Sequence, residues 1–387
     1  MELYLESGYT SLNKAGEELC GDRVKVADDG EYTTLVLADG LGSGVKANIL
    51  STLTSTILCT MVSGGVSIEE CVDTIIQTLP VCKERGVAYA TFTVIHVNRE
   101  GKGYMFEFDN PEAIYITNGK CRDFERVPHK YEGKTVYITE LDLKPNDYIV
   151  TMSDGVIHAG IGMILNFGWL RKDVIEYLDK SVKPYMSAGA VACLLASACN
   201  DLYLDKPGDD TTVAAVRIRE AVHVNIMVGP PVDKSKDDFY IARFLEGDSK
   251  KIVCGGTSST IVARYLGTQV KADFDFPDKD VPPIGHIDGI DLTTEGVLTL
   301  RKLVELSEKY LSHSDLTPKS FVGKRDGASM LAEMLFEEAT HVKFFVGQSI
   351  NAAHQGLPID ITMKLKLVDT ISDHLRRAGK QVEVYYD

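Results

Sequence analysis

Four acidic sites in the first 210 residues stand beside glycines or at the ends of apolar stretches. Asp39-Gly40 closes the stretch LVLADG, and Asp154 closes YIVTMSDG in the same manner. Asp22 follows a glycine in LCGD, and the pair Asp209-Asp210 precedes the apolar stretch TTVAAVRI. A strand end would hold each carboxylate rigidly, and the neighbouring glycines would keep bulk away from it.

These carboxylates predict a metal centre if folding brings them together. Clustered carboxylates repel one another, and a hard divalent cation such as Mn²⁺ or Mg²⁺ removes that repulsion through oxygen ligands. Two ions about 3.5–4 Å apart could share Asp39, while the carbonyl of Gly40 could approach a metal without side-chain crowding. A water between the ions would become a nucleophile near neutral pH, and the ions would offset the charge of a phosphate under attack.

Each acidic site also has an ordinary structural explanation. Asp-Gly is a common turn dipeptide, and aspartate is a frequent helix cap, so Asp39 could serve a helix starting near Val45. Periodicity does not show whether the four sites meet. Spacing alone therefore leaves the metal centre and the ordinary turns as open alternatives.

The elements that would position the sites follow a definite order. The strand TTLVLADG leads into helical patterns that stop at Gly64-Gly65 and at Pro80. Period-two stretches follow, YATFTVIHVN, GYMFEFDN, AIYITNGK and KTVYITEL, and these predict successive antiparallel strands joined by turns. Helices are expected over 168–180 and 187–203, before a final strand in TTVAAVRIRE.

A second domain is expected over residues 222–387, after a first domain over 1–220. Strand patterns such as HVNIMV alternate with helical ones, which predicts an α/β domain with some parallel pairing. The stretch VCGGTSST places glycines and hydroxyls at a strand-to-helix turn. Such a helix start can bind phosphate through free amides, although an ordinary turn with a threonine cap explains it equally simply.

The composition limits the class of protein. The chain has 387 residues, 44% of them apolar, and a net charge of −15, which argues against a nucleic-acid partner. No secretion signal and no stretch of about 18 apolar residues is evident, so we expect no membrane partner. Eight cysteines occur without a C-x-x-C pair, which is typical of reduced thiols and indicates a cytoplasmic protein.

The order of these motifs resembles the phosphatase 2C superfamily of metal-dependent serine/threonine phosphatases, in its stage II sporulation protein E branch. The resemblance rests on Gly21-Asp22, on DGLGSG at 39–44, on Asn110-Pro111, on LDLKPNDYIVTMSDG and on DDTTV at 209–213, and it covers residues 1–220. Asn146 stands where this family usually has glycine, which should alter a turn rather than the chemistry.

By this resemblance, the fold class is α+β, with an N-terminal four-layer αββα sandwich of phosphatase 2C type and a C-terminal α/β domain. The resemblance implies a catalytic centre of Asp22, Asp39, Asp154 and Asp209 with two Mn²⁺ or Mg²⁺ ions. Asp39 would bridge both ions, Gly40 would lend its carbonyl, and Asp154 with Asp209 would complete one shell. Asp22 would act through water, and Asp210 remains the alternative ligand to Asp209.

The implied reaction is hydrolysis of phosphoserine or phosphothreonine by direct attack of a metal-bound hydroxide. The partner would be a phosphorylated protein, such as a small signalling regulator of bacterial type. Whether the chain forms a homodimer is left open by the sequence. Two alternatives are a catalytically silent phosphatase-like signalling module and a bifunctional protein whose C-terminal domain binds a small ligand. The sequence names no ligand for residues 222–387, which would regulate the enzyme or bind its substrate or partner.

Overall fold

The computed structural model describes residues 2–78, 90–131, 133–272, 282–312, 321–349 and 359–387. The chain divides into two compact units, of which the first ends at Glu220 and the second begins at Ala221. Each unit has its own buried clusters and its own sheets.

The first domain, which carries the carboxylate sites, consists of groups of strands separated by two groups of helices. Its strands are β1 Leu3–Leu12, β2 Asp22–Asp28, β3 Tyr32–Gly40, β4 Ala90–Asn98, β5 Lys102–Phe108, β6 Ile114–Thr117, β7 Lys120–Arg122, β8 Val127–Tyr131, β9 Lys134–Asp142, β10 Tyr148–Met152 and β11 Thr211–Glu220. Its helices are α1 Gly44–Ser63, α2 Ile68–Thr78, α3 Asp154–Ile157, α4 Arg171–Ser181 and α5 Ala188–Leu202.

Two antiparallel sheets stack on each other in this domain. One has the strand order β1-β11-β10-β6-β7 and the other β2-β3-β4-β5-β9-β8. Side chains such as Leu37 and Ile149 fill the space between the sheets, whereas Val36 packs toward α1 and α2 and Val150 toward α4 and α5. The alternation follows from the two-residue period of a strand. The predicted four-layer αββα arrangement is confirmed.

One strand does not pair as the period-two pattern predicts. β4, β5 and β9 are neighbours in one sheet, but β6 pairs with β10 in the other sheet. The chain crosses between the sheets at Asn110, whose amide group is hydrogen-bonded to the hydroxyls of Thr91 and Thr93. Alternation shows which face of a strand is buried, but it carries no information about the partner strand, so the expected succession was wrong here.

Helix α1 corrects the expectation that no segment has the length and apolarity of a membrane span. Its 20 residues pass that test by length and composition. Ala47, Leu58 and Val62 are nevertheless buried, and Leu58 and Val62 pack in the cluster that α1 forms with the β2–β3–β4 sheet. Core helices of globular domains pass the same test, so the helix by itself points to no membrane.

The second domain is built on a mostly parallel sheet. Its strands are β12 His223–Val228, β13 Lys250–Cys254, β14 Lys271–Ala272, β15 Gly285–His286, β16 Leu292–Thr294, β17 His341–Val346 and β18 Gln381–Tyr386. Its helices are α6 Asp237–Leu245, α7 Gly256–Tyr265, α8 Val297–Tyr310, α9 Gly327–Ala332 and α10 Ile359–Arg377; a 3₁₀ turn, Lys234–Lys236, precedes α6, and a π-helical stretch, Glu333–Glu338, follows α9.

This sheet has the order β14-β15-β16-β13-β12-β17-β18, and its five strands from β16 to β18 are parallel. One buried cluster packs α8, α9 and α10 on one face, and a second packs α6 and α7 on the other. The predicted α/β class is therefore confirmed. The short strands β14, β15 and β16 were not predicted, because two or three residues are too few to show a period.

Candidate active site

Asp22 and Asp39 lie directly opposite each other at one end of the β2–β3 pair. Cross-strand partners point to the same face of a sheet, and here Val24 and Leu37 identify that face as the one between the sheets. Asp22 is 3% exposed. The strand register therefore forces two carboxylates together in a place where water has little access.

The facing sheet brings further acidic side chains to the same place. Met152 of β10 pairs with Val213 of β11, so Asp154, just after β10, lies beside Asp209-Asp210, just before β11. Asp39 lies close enough to Asp22, Asp154 and Asp209 for their charges to act on its carboxyl group. All the acidic residues that the sequence singled out in this domain are thus brought into one cluster.

Ser153 ties the two sheets together within the cluster. Its hydroxyl donates to Asp22 Oδ2 at 2.7 Å and accepts from the amide of Thr212 at 2.8 Å. Its side chain is fully buried, so both bonds are shielded from water. The other oxygen, Asp22 Oδ1, is buried and has no hydrogen-bond partner among the described residues.

Asp209 and Asp210 occupy different environments. Asp209 is partly exposed, pairs with Lys14 Nζ at 3.6 Å and adds its charge to the surroundings of Asp39 and Asp154. Asp210 is buried, accepts from the backbone amide of Lys14 at 3.0 Å, and leaves Oδ2 without a partner within the described part of the chain. Its charge acts on Asp22. Asp209 is therefore the member of the pair that faces Asp39 and Asp154.

The crowding of carboxylates shifts their protonation. Burial raises the pKa of Asp39 to about 9, with further contributions from the charges of Asp22, Asp154 and Asp209. Burial raises the pKa of Asp22 to about 7, against the lowering effect of the hydrogen bonds from Ser153 and Thr212. The pKa of Asp154 is also raised by burial, while nearby His158 lowers it. Protein groups alone do not neutralise this cluster.

The donor set fits a hard divalent cation. All the clustered side chains offer carboxylate oxygens, the ligands that Mg²⁺ and Mn²⁺ prefer. Two buried oxygens, Asp22 Oδ1 and Asp210 Oδ2, lack partners among the described residues, and the raised pKa values of Asp22 and Asp39 show that burial, together with the neighbouring carboxylates, disfavours their charged forms. A cation would remove both defects.

Gly40 has a steric role that the sequence did not indicate. A Cβ atom on Gly40 would lie 2.1 Å from the carbonyl oxygen of Ala47 in α1. The glycine thus lets the first turns of α1 pack against the end of β3, next to Asp39. A Cβ on Gly155 would meet the carbonyl oxygen of Asp210 at the same distance, so each Asp-Gly step also permits a close backbone approach.

We expect Gly40→Ala to destabilise the first domain by about 2–4 kcal/mol, because the clash is with backbone and α1 must shift. Urea denaturation followed by circular dichroism measures the change. Gly208→Ala is the matched control, since its Cβ would make only an ordinary 3.4 Å contact with Tyr203. Equal midpoints for the two variants would contradict the steric role.

The sequence analysis missed several residues that hold the cluster. Ser153, Thr212 and Lys14 contact the acidic side chains directly. His158 was not missed, since its place four residues after Asp154 marked it in the sequence, and its Nδ1 lies 3.8 Å from Asp154 Oδ2. The signal available for Ser153 was its position immediately before Asp154. Nothing in the pattern marked Lys14, which reaches Asp209 from a loop almost 200 residues earlier in the chain.

Comparison with known proteins bears on the first domain. Residues 29–219 match the family model of stage II sporulation protein E (SpoIIE). The match covers most of the first domain, which is therefore similar to this family of PP2C-type phosphatase domains. The resemblance stated from the motifs is thereby confirmed. The matched residues of this chain include Asp39, Asp154 and Asp209-Asp210. No curated protein matches the sequence significantly.

Several solved structures are similar to the chain. The phosphatase domain of the cell fate determinant SpoIIE from Bacillus subtilis is 18% identical, with 57% of this chain and 94% of that chain covered and a TM-score of 0.44. The RsbU and RsbW domains of a Mycobacterium tuberculosis protein are 18% identical, with 63% and 68% covered and a TM-score of 0.45. RsbX in complex with magnesium is 18% identical, with 55% and 95% covered and a TM-score of 0.41.

Proposed function

We propose that the first domain is a metal-dependent protein serine/threonine phosphatase. The observation that carries the proposal is the gathering of Asp22, Asp39, Asp154 and Asp209-Asp210 at one end of the β-sandwich, with raised pKa values and unpartnered buried oxygens. The match of residues 29–219 to the family model of stage II sporulation protein E supports it. A turn or capping role for each aspartate would not require them to meet.

The position of each acidic residue suggests its role in metal binding or in orienting water. Asp39, Asp154 and Asp209, with the carbonyl of Gly40, would hold two Mn²⁺ or Mg²⁺ ions. Bound divalent cations would lower the pKa of a coordinated water and offset the negative charge of the phosphate. Asp22, fixed by Ser153, would orient a water through its free Oδ1.

Direct attack by water fits the side chains around the cluster. The water oxygen would form the new bond to phosphorus, the bond to the seryl or threonyl oxygen would break, and the proton from water would go to that leaving oxygen. Cys20, the thiol beside the cluster, is a poor nucleophile because burial and the charges of Asp22 and Asp210 raise its pKa well above the usual range. No covalent phosphoenzyme is therefore part of the proposal.

Purified full-length protein with Mn²⁺ or Mg²⁺ tests the proposal. We expect hydrolysis of p-nitrophenyl phosphate and release of phosphate from a phosphoserine or phosphothreonine protein, with loss of both activities in EDTA. A protein that binds Mn²⁺ but hydrolyses neither substrate would favour the silent signalling module. A protein that does neither would contradict the metal centre itself.

Asp209→Asn and Asp210→Asn distinguish the two candidate ligands. We expect Asp209→Asn to weaken Mn²⁺ binding by about 10–100-fold, because Asp209 faces Asp39 and Asp154. Asp210→Asn should weaken it less, since Asp210 is turned toward Lys14 and Asp22. Isothermal titration calorimetry measures both affinities. A larger loss in Asp210→Asn would assign the ligand role to Asp210.

The substrate is proposed to be a phosphorylated protein, such as a small signalling regulator, in the cytoplasm. The seven cysteines that the structure describes form no disulfide with one another, which suits a reducing compartment. The second domain would regulate the phosphatase or recruit its substrate.

A further inference from the structure

The turn between β13 and α7 leaves a helix start open. Gly255 occupies the N-cap position with φ 116° and has no side chain to accept from the first-turn amides. Its own amide donates to the carbonyl of Thr294 at 2.9 Å, which fixes the turn against the end of β16. Gly256 and Thr257 are exposed, and their amides have no acceptor in the described part of the domain.

Ser258 supplies a second, independent observation at this helix start. It is 1% exposed, and its hydroxyl has no partner among the described residues. By contrast, the hydroxyls of Ser259 and Thr260 donate to carbonyl oxygens one turn earlier. Ser258 Oγ lies 3.6 Å from where a Cβ on Gly255 would stand, so this buried hydroxyl points back to the uncapped end of the helix.

Helix α8 begins beside the start of α7, but a carboxylate already caps its N-terminus. A Cβ on Gly296, the N-cap of α8, would lie 3.6 Å from Gly255 Cα. Glu295 Oε2 accepts from the amide of Leu298 at 3.0 Å and so caps α8. The positive ends of two helix dipoles therefore adjoin, and only that of α8 has a carboxylate on it within the described residues.

The position within the sheet is also one where ligands bind. β13 and β16 are parallel neighbours, and both turns follow their carboxyl ends, the edge at which open α/β sheets bind ligands. Gly327, which packs on Thr294 at this edge, is preceded by two exposed cationic residues, Lys324 and Arg325.

We propose that the N-terminus of α7 binds the phosphate group of a small ligand through the amides of Gly256 and Thr257 and the hydroxyl of Ser258. The amides would donate to the phosphate oxygens along the helix dipole, and Ser258 would gain the acceptor that it lacks. This site lies in the second domain and does not depend on the phosphatase function proposed for the first.

The first probe is inorganic phosphate, added to full-length protein in EDTA so that the carboxylate cluster of the first domain does not bind it through a metal. Protein labelled with ¹⁵N-glycine and ¹⁵N-threonine reports on the site by NMR, with the Gly256 signal assigned from its loss in Gly256→Ala. We expect saturable shifts of the Gly256 and Thr257 amides with phosphate and none with chloride at equal ionic strength.

Two substitutions separate binding from folding. Gly256→Asp would place a carboxylate at the site, and a Cβ at this position meets nothing within 4 Å. An acidic first turn also favours the helix, so we expect an unchanged or higher melting temperature with loss of phosphate binding. Gly256→Ala keeps the amide and is the control that retains binding.

Ser258→Ala should weaken phosphate binding about tenfold without lowering the melting temperature, because the hydroxyl has no partner to lose in the free protein. Glu295→Gln should strengthen binding about threefold or more, because it removes a negative charge beside the site. Unchanged phosphate binding in Ser258→Ala would show that this hydroxyl takes no part in the site.

Glycerol 3-phosphate is the second probe, and it distinguishes a phosphate ester from free phosphate as the ligand. Tighter binding of the ester than of inorganic phosphate supports the site with an ester as its ligand, and binding of inorganic phosphate alone supports it with the free ion. Absence of amide shifts at about 10 mM phosphate, well above a millimolar dissociation constant, would overturn the proposal. So would unchanged binding in Gly256→Asp.

Discussion

Asp39→Asn is expected to lower Mn²⁺-dependent hydrolysis of p-nitrophenyl phosphate by about 10³-fold or more, equivalent to ~4 kcal/mol of transition-state stabilisation. Asp39 lies at the centre of the cluster, opposite Asp22 and within the field of Asp154 and Asp209. Asparagine keeps the shape of the side chain but removes the charge that would bind both ions. Steady-state rates at saturating Mn²⁺ measure the loss.

Asp201→Asn is the control for this experiment. Asp201 is exposed near the end of α5 and is not one of the clustered carboxylates, so the substitution removes the same charge from outside the cluster. Its rate should stay within about twofold of wild type, as for surface substitutions in general. If Asp39→Asn hydrolysed the substrate at the wild-type rate, Asp39 would have no part in the reaction.

The metal-free protein is expected to lose stability as the pH rises from about 4 to about 9. In the folded state, the pKa values of Asp22 and Asp39 are raised to about 7 and about 9. In the unfolded chain both titrate near the ordinary aspartate value of about 4. The folded state therefore binds more protons across this range, so its stabilisation is complete below pH 4 and declines as the pH rises.

Mn²⁺ should reverse this loss, and its effect should grow with pH because metal ions bind the deprotonated carboxylates. At 100 times the dissociation constant, binding contributes ~2.7 kcal/mol, which corresponds to roughly 5–10 °C in the melting temperature of a domain of this size. Differential scanning fluorimetry at pH 6 and pH 8.5, in EDTA and in Mn²⁺, measures the four values.

Asp39→Asn provides the decisive comparison for the pH effect. Without metal it should be more stable than wild type at pH 8.5, because asparagine is neutral without a proton, whereas folded Asp39, with a pKa of about 9, must hold a proton that the unfolded chain has already released. With Mn²⁺ it should gain little. The same substitution would then raise stability and remove activity, whereas a purely structural aspartate would lose stability when replaced. A lower melting temperature in metal-free Asp39→Asn would contradict the explanation.

The strand patterns in the sequence predicted much of the first domain. The apolar stretch TTLVLADG predicted a buried strand that ends at Asp39-Gly40, and β3 Tyr32–Gly40 is that strand, with Leu37 buried between the sheets. Helices expected over 168–180 and 187–203 are found at Arg171–Ser181 and Ala188–Leu202. Asn146, expected to alter only a turn, has φ 73°, a conformation in which glycine is the usual residue.

Other features of the site could not be predicted, because they depend on partners distant in the chain. The pattern could not show that β6 joins the other sheet, since alternation identifies a face and not a neighbour. It likewise gave no reason for Gly40 beyond the metal, whereas the structure adds its close approach to Ala47.

The sequence by itself determined that acidic residues such as Asp22 and Asp39 stand at the ends of apolar stretches, because that property depends only on residues near them. Only the tertiary structure decided that these two meet Asp154 and Asp209-Asp210, since the register of β2 with β3 and the stacking of two sheets join segments up to about 190 residues apart. It also decided that Asp209 faces Asp39 while Asp210 faces Asp22. The physical reason is that side-chain direction is a local property of the backbone, whereas electrostatic repulsion and metal binding depend on distances that long-range packing sets.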